Sequence, residues 1–354
     1  MTNSIRFPFL QLPETPFLKI LTTFNFYDLV DLSFCSTKSY HIIRNFLSSK
    51  PPLQINIGID KVRLHQFSWA FLCPRDPDVL KLTNTHNRSM MGVEYKWGED
   101  QTGQRTCLVN FSDTDVLRFA YYLMSLFTCY LGKLEMDIPE CEDLLIIQSW
   151  QFLQKSQEMT VWTGVVSHEE MHGFLERFQT NHMVLNCHPG QDFVYKKCIS
   201  FFHLHIHHSI WFTRQNLLNM NCAQLILERS VLTSTDINAF LHSWLYNQSK
   251  DRTLQYLEII GKPCPRYHTP IEEDEGFEDL DWDQIVMGLN TIPGSRKHQS
   301  ACSYQRFSIP FEDGVDLQRA DGTLATIVLL QGRVASALRS FLFVVWQHSN
   351  PFAP

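Results

Sequence analysis

The length, composition and charge of this chain set the first limits on its function. It has 354 residues, of which 44% are hydrophobic and 19% are charged, so it can bury a large core. A formal net charge of -7 gives no reason to expect a nucleic-acid partner. The start of the chain lacks a basic segment followed by a long apolar one, and the apolar run VASALRSFLFVVW is interrupted by Arg339. We therefore expect neither a signal peptide nor a membrane span.

The ten cysteines are scattered along the chain, and no two of them form a C-x-x-C pair. This pattern indicates reduced, mostly buried thiols rather than a disulfide framework. It favours a protein of the cytoplasm, the nucleus or both.

Residues 7–50 have the apolar spacing of three short helices. In LPETPFLKILTTF, Thr15 can cap a helix that starts at Pro16, and apolar residues then recur every three or four positions. A second apolar set covers residues 29–34, and a third follows Ser36 until KPPL ends the unit. Because helices this short bury too little surface to be stable alone, the surplus apolar surface predicts a partner.

The segment FPFLQLPETPFLKILTTFNFYDLVDLSFCSTKSYHIIRNFL resembles an F-box, with Leu12-Pro13 at the usual opening of that family. The resemblance implies docking onto the Skp-type adaptor of a cullin-RING ubiquitin ligase. The alternative is a purely local core, and for Phe17, Phe24 and Ile43 both interpretations stay open. By the resemblance, the side chains that contact the adaptor are Phe9, Leu10, Leu12, Pro13, Ile20, Leu21, Leu29 and Leu32.

Residues 51–130 match no pattern that we can name and form an unassigned linking region, whereas residues 131–354 alternate strand and helix patterns. The strand patterns recur about every 25 residues, which is typical of a solenoid. Together with the first unit, this predicts an α+β or α/β chain in which three helices precede an irregular, leucine-rich-repeat-like parallel sheet. The predicted strands are KLEMDI, EMTVWT, HMVLNC, FHLHIH, QLILER and LQYLEI, and the predicted helices include CEDLLIIQSWQFL, TRQNLLNM and STDINAFLHSWL.

Residues 209–260 resemble the type 2 F-box-associated domain of the large nematode F-box families, and we place that region at 185–260. The late signature VDLQRADGTLATIVLL, within residues 313–330, resembles the same family and predicts a β-hairpin that turns at Asp321-Gly322. The features that carry the first resemblance are Trp211, Leu217, Leu218, Leu232, Thr233, Asp236, Ile237, Asn238, Phe240, Leu241, Trp244, Leu254, Leu257 and Ile259.

The stretch VVSHEEMHGFLERF contains H-E-x-x-H, the spacing with which a helix presents two imidazoles to zinc. This allows a zinc-dependent hydrolase that uses His168, Glu169 and His172. However, Ser167 and Glu170 form a capping box, which predicts that the helix begins at His168 and explains the motif structurally. The glycine and histidine that extend the motif in metzincins are also missing. We therefore predict no metal, no cofactor and no catalytic residue.

The row His203, His205 and His207 falls on one face of a predicted strand. Such a row could hold zinc, but we expect Leu204 and Ile206 to face the helices and the histidines to lie on an open face that binds a target protein. For any one histidine, a solvated position is the plainer alternative. With Trp162 and Tyr256, the three histidines are our target-binding candidates, and their protonation would make binding vary between about pH 6 and 7. Other residues expected on this face are Thr160, Asn186, Gln224, Glu228 and Glu258.

The acidic run EEDEGFEDLDWD at residues 272–283 carries eight carboxylates, and we interpret it as a solvated loop rather than a site for a basic partner segment.

These patterns together predict a non-catalytic subunit of an SCF-type cullin-RING ubiquitin ligase. Its N-terminal helices would bind the Skp-type adaptor and the cullin scaffold, and its body would bind a target protein. Two alternatives remain, namely the zinc hydrolase and an adaptor-binding protein without a degradation role. We expect no nucleic-acid or membrane partner.

Overall fold

The computed structural model divides the chain into two compact units. The first takes Met1–Met136 and Trp150–Ser156, and the second takes Asp137–Ser149 and Gln157–Pro354. The structure describes residues 12–58, 61–64, 69–72, 83–90, 93–99, 105–109, 113–136, 151, 153–190, 192–246, 253–261, 280–293, 314–330 and 340–346.

Three helices open the first unit, as the sequence predicts: α1 (Glu14–Leu21), α2 (Phe26–Phe34) and α3 (Thr37–Ser48). The first begins at Glu14 rather than at Pro16. Pro16 therefore lies inside the first turn, where the missing N–H removes no helical hydrogen bond. Capping side chains fix the starts of the other two helices: Asn25 and Asp28 form a capping box before α2, and the Ser36 side chain caps α3.

A fourth helix, α4 (Asp113–Leu126), contacts these N-terminal helices, although the linking region gave no sign of it. The phenol oxygen of Tyr122 lies 2.7 Å from the hydroxyl of Ser33, and its ring stacks on Phe34 at 4.4 Å between centroids. The Tyr40 hydroxyl donates to Ser125 Oγ over 3.1 Å. The sequence predicts a partner for the surplus apolar surface of the N-terminal helices. Helix α4 of the same unit covers part of that surface.

The strands of the first unit belong to one mixed sheet. They are β1 (Leu53–Gly58), β2 (Lys61–Leu64), β3 (Trp69–Leu72), β4 (Thr83–Met90), β5 (Val93–Glu99), β6 (Arg105–Val109) and β7 (Cys129–Met136). Their order is β7-β1-β2-β3-β6-β5-β4. The strand predicted from KLEMDI is part of β7, and it pairs in parallel with β1 within this unit.

The second unit is built on five parallel strands in chain order: β8 (Ser156–Val165), β9 (His182–His188), β10 (His203–Ile206), β11 (Gln224–Glu228) and β12 (Tyr256–Ile260). Between them lie α5 (His168–Arg177), α6 (Arg214–Asn219) and α7 (Ser234–Tyr246). These strands and helices correspond to the predicted patterns. The chain therefore has an N-terminal helical region and strands in mixed pairing, and helices lie between the parallel strands of the second unit.

Within the second unit, antiparallel strands extend the sheet beyond β12. They are β13 (Thr291–Pro293), β14 (Val315–Gln318), β15 (Leu324–Leu330) and β16 (Ser340–Trp346), and β16 pairs directly with β12. The strands β14 and β15 form the predicted hairpin, in which Gly322 adopts a φ of 87°. That conformation strains a residue with a Cβ atom, so the turn favours glycine. A short helix, α8 (Trp282–Val286), precedes β13.

Several predictions fall on residues that the structure does not describe. These are most of the helix predicted from CEDLLIIQSWQFL, the larger part of the acidic run at residues 272–279, and the adaptor contacts Phe9 and Leu10. Among the residues it does describe, no helix has the length and apolar character needed to cross a membrane.

Candidate functional site

Side chains along β10 alternate between the interior and the opposite face of the sheet. Leu204 and Ile206 are both 0% exposed, as the alternation predicts. Leu204 lies in register between Met183 and Leu225 of the two neighbouring strands, and these side chains are also fully buried. Because successive side chains point to opposite faces, the histidines of this segment lie on the other face.

The three histidines do not share one environment. His203 and His205 are partly exposed, and the side chain of His205 is 20% exposed. His207 is buried, with 9% of its side chain exposed, so it departs from the expected open row. Its ring lies 6.2 Å from the Trp162 ring, measured between centroids, and its Nδ1 contacts Glu228. Neighbours on two other strands therefore enclose it.

Glu228, the last residue of β11, joins two of these histidines. His205 Nε2 donates to Glu228 Oε1, and His207 Nδ1 donates to Glu228 Oε2, each over 3.0 Å. Burial raises the pKa of Glu228, but the two hydrogen bonds and the histidine charges outweigh it and bring the pKa down to about 2. The carboxylate is therefore ionised at neutral pH. Its place on this face follows from strand alternation, but its bridging role carries no sequence signal of its own.

His203 makes separate contacts. Its Nδ1 donates to Gln224 Oε1 over 2.8 Å, and its ring centroid lies 3.9 Å from that of His182. Burial, followed by the nearby charge of His182, lowers the pKa of His203 to about 4. This imidazole is thus neutral between pH 6 and 7, which contradicts the expected titration of the whole row in that window.

The other aromatic candidate, Tyr256, begins β12 and is partly exposed. Its hydroxyl donates to Glu258 Oε2 over 2.8 Å. Burial raises the pKa of Glu258, and the charge of Glu228 raises it further, while the Tyr256 hydrogen bond opposes both. Glu258 is therefore a second carboxyl group that interacts electrostatically with Glu228 on this face.

Arg229 follows Glu228 and adopts a φ of 53°, which is uncommon for a residue with a side chain. Its Nη1 donates to His208 Nδ1 over 3.1 Å. Burial, and then the Arg229 charge, lowers the pKa of His208 to about 4. The guanidinium is thus directed to a neutral imidazole next to the histidine row.

One group of side chains in the described part of the chain has the chemistry and spacing to hold a metal ion. The ligand atoms of His205, His207 and Glu228 all lie within 4.8 Å of one another. Imidazole nitrogens and carboxylate oxygens are the usual non-thiolate ligands of zinc. The sequence groups His203, rather than Glu228, with His205 and His207, but His203 contacts Gln224 and His182 instead.

The H-E-x-x-H stretch lies at the start of α5, as the capping box predicts. Ser167 Oγ accepts from the Glu170 N–H over 3.2 Å, and Glu170 Oε2 accepts from the Ser167 N–H over 2.6 Å. His172 Nδ1 donates to Glu176 Oε1 over 3.1 Å. Within the described ranges, neither His168 nor His172 belongs to a group of three ligands that converge within 4.8 Å.

The predicted adaptor contacts separate into two groups by exposure. Pro13 is exposed, and Leu12, Ile20 and Leu32 are partly exposed, so part of their apolar surface reaches solvent on the N-terminal helices or just before α1. In contrast, Leu21 and Leu29 are 1% and 6% exposed and pack inside the unit. Phe17 and Ile43 are buried, in agreement with the local-core interpretation, and Phe24 is partly exposed.

Two domain families match this chain. The F-box domain matches residues 9–50, inside the predicted 7–50, and the F-box associated domain matches residues 195–259, inside the predicted 185–260. The second match includes β10, β11 and most of β12, and therefore His203, His205, His207, Glu228 and Tyr256.

The relatives are proteins of Caenorhabditis elegans. Uncharacterized protein F59B2.8 is 21% identical over 98% of this chain and 79% of its own length. E3 ubiquitin-protein ligase hecw-1 is 25% identical over 80% of this chain but only 25% of its own length. Uncharacterized protein F59B2.9 is 27% identical over 44% of this chain and 33% of its own length. No solved structure matches the chain. The chain thus carries an F-box domain followed by an F-box-associated domain, the combination of the nematode F-box type that its sequence resembles.

Proposed function

We propose that this protein is a substrate-recognition adaptor of an SCF-type cullin-RING ubiquitin ligase. The observation that carries the proposal is the order of its domains, an F-box at residues 9–50 and an F-box-associated domain at 195–259. The F-box would bind a Skp-type adaptor on a cullin scaffold, and the second unit would bind the target protein. Other subunits would perform the chemistry, so this chain needs no catalytic residue or cofactor.

The exposure of side chains in the F-box separates residues that would contact the adaptor from residues that would stabilise the helices. We infer that Leu12, Pro13, Ile20 and Leu32 contact the adaptor directly, together with Phe9 and Leu10. Burial of their exposed apolar surface would stabilise the complex by about 25 cal/mol for each Å² removed from water. Leu21 and Leu29 are buried inside the unit and would hold the helices in place rather than contact the adaptor.

The second unit supplies the face on which a target would lie. The regular parallel pairing of β8 to β12 supports a curved, leucine-rich-repeat-like sheet whose open face is lined by Trp162, His203, His205, His207 and Tyr256. Aromatic side chains flank the polar ones on this face, and rigid aromatic anchors with polar neighbours are typical of protein-binding surfaces. The buried position of His207 gives it a supporting rather than a contacting role.

Two further observations fit this function. Burial raises the pKa of the Cys187 and Cys222 thiols to about 12, so both stay protonated, as expected of structural cysteines in a reducing cytoplasm or nucleus. The similarity to hecw-1 of C. elegans, whose name is that of an E3 ubiquitin-protein ligase, also favours a role in ubiquitin transfer. The zinc hydrolase interpretation has less support, because capping explains its motif.

Ubiquitin transfer separates this function from adaptor binding without degradation. A partner captured with the full-length protein should be ubiquitinated in a reconstituted reaction that contains the adaptor, cullin and RING subunits. The reaction should stop when Leu12 and Pro13 are both changed to alanine, while capture of the partner persists. If the partner is captured but never modified, with the other subunits active on a reference substrate, the degradation role is wrong.

A further inference from the structure

We propose that His205, His207 and Glu228 form a binding site for a divalent transition-metal ion of the zinc class. The three side chains come from two adjacent parallel strands of the second unit. Their contacts bring Nε2 of His205 and Nδ1 of His207 to 3.0 Å from different oxygens of one carboxylate. This proposal does not depend on the ubiquitin-ligase function.

Strand geometry explains why these three residues converge. His205 and His207 are two positions apart, so their imidazoles lie on the same face, and their ring centroids are 4.1 Å apart. The neighbouring strand β11 pairs in parallel with β10. Its last residue, Glu228, therefore lies beside both rings. A His-x-His pair on one strand and a carboxylate on the next thus meet without any change in backbone.

The distances fit a metal centre as well as a hydrogen-bond network. Zinc bonds of about 2.0–2.1 Å in a tetrahedron place neighbouring ligand atoms about 3.3 Å apart. The histidine-to-carboxylate distances are both 3.0 Å, and all three ligand atoms lie within 4.8 Å of each other. Each nitrogen-to-oxygen distance would have to lengthen by a few tenths of an ångström for both atoms to bind one ion. Small rotations of the side chains can supply this movement.

Two imidazoles and one carboxylate are a ligand set of catalytic or exchangeable zinc sites, which keep a fourth position for water or an external ligand. The side chains of His205 and Glu228 are 20% and 19% exposed, whereas that of His207 is 9% exposed. One side of the cluster thus reaches solvent, and the Trp162 ring lies next to its buried histidine. A water molecule or a side chain of a bound protein could therefore complete the coordination.

The charged groups around the cluster act in opposite directions. Glu228 supplies an ionised carboxylate to the cluster, whereas burial, and to a lesser degree the charge of Glu228, raises the pKa of the neighbouring Glu258. Arg229 is the opposing charge, since it also interacts with Glu228, but its guanidinium donates to His208. The negative charge that directly faces the two histidine nitrogens is therefore that of Glu228 itself.

Zinc binding by the full-length protein tests the proposal. After treatment with a chelator, wild-type protein should bind one tight equivalent of Zn²⁺ in competition with a chromophoric chelator. His205→Ala and Glu228→Gln should each weaken that affinity by more than about tenfold, since each removes a direct ligand and even supporting partners of metal ligands contribute tenfold or more. His203→Ala is the matched control, because it removes a neighbouring imidazole that lies outside the three ligands.

A second measurement keeps the result interpretable if a variant folds poorly. An ion that binds only the folded protein raises its melting temperature, so Zn²⁺ should raise that of wild type and of His203→Ala but not that of Glu228→Gln. The proposal is wrong if wild type binds no tight equivalent. It is also wrong if Glu228→Gln and His205→Ala bind zinc as tightly as His203→Ala, in which case the three residues form only a hydrogen-bond network.

Discussion

The indole ring of Trp244 and the phenyl ring of Phe343 meet edge to face, with their centroids 5.2 Å apart and their planes at 79°. This contact joins α7 to β16. Phe240, one turn earlier on the same helix, meets the same phenyl ring at 5.4 Å. The guanidinium of Arg319, at the hairpin, lies 5.5 Å from the centre of the indole ring. Trp244 thus contacts both β16, through Phe343, and the hairpin, through Arg319.

Trp244→Ala should therefore destabilise the protein by about 3–5 kcal/mol, because it leaves a cavity and removes the aromatic contacts. Urea denaturation of the full-length protein, followed by circular dichroism, measures this change. Tyr246→Ala on the same helix is the control, since Tyr246 is 68% exposed and its loss should change stability by less than about 0.5 kcal/mol. Equal effects of the two substitutions would show that the helix is wrongly placed.

The start of α5 offers a comparison between two adjacent acids. Glu170 is 2% exposed and closes the capping box, whereas Glu169 is exposed and would be the catalytic base of a zinc hydrolase. Glu170→Ala should cost about 1 kcal/mol or more of unfolding free energy, because the Ser167 N–H loses its partner at the helix start. Glu169→Ala should cost clearly less in the same thermal or urea measurement. The reverse order would argue against the capping explanation of the motif.

The proposed target-binding face is tested by truncating its aromatic side chains. Trp162→Ala and Tyr256→Ala should each weaken binding of a captured target by at least about tenfold, which corresponds to about 1.4 kcal/mol, as expected of interface hot spots. Binding of the Skp-type adaptor should stay unchanged, since we propose that this contact lies in the F-box at residues 9–50. Tyr246→Ala controls for the loss of an exposed aromatic elsewhere. If neither substitution changes the affinity for the target, the proposal that this face binds the target is wrong.

The sequence predicts those features that depend on neighbours along the chain. Ser167 and Glu170 three residues apart predict the helix start, the alternation of Leu204 and Ile206 predicts which side of β10 is buried, and Asp321-Gly322 predicts the hairpin turn. Each is encoded within one turn of helix or one strand. The leucine-rich-repeat-like curvature of the sheet stays a prediction.

Features that depend on distant neighbours escaped prediction. The contact between Ser33 and Tyr122 joins helices that are 89 positions apart, and nothing in either segment specifies the other. Likewise, the burial of His207 and the bridging role of Glu228 depend on which strands become neighbours. The low pKa of His203 has the same origin, since it follows from burial beside His182. A strand pattern gives the face of a side chain but not its partners across the sheet.

Direct binding of a Skp-type adaptor is the measurement closest to the central claim. Purified full-length protein and adaptor should form a one-to-one complex by calorimetry or co-purification. Combined change of Leu12 and Pro13 to alanine should weaken the complex by at least about tenfold, since it removes exposed apolar surface at the opening of the F-box. The variant should keep the wild-type melting temperature within a few degrees, because neither side chain is buried. Absence of a complex with wild type, or one that the double substitution leaves unchanged, would contradict the account.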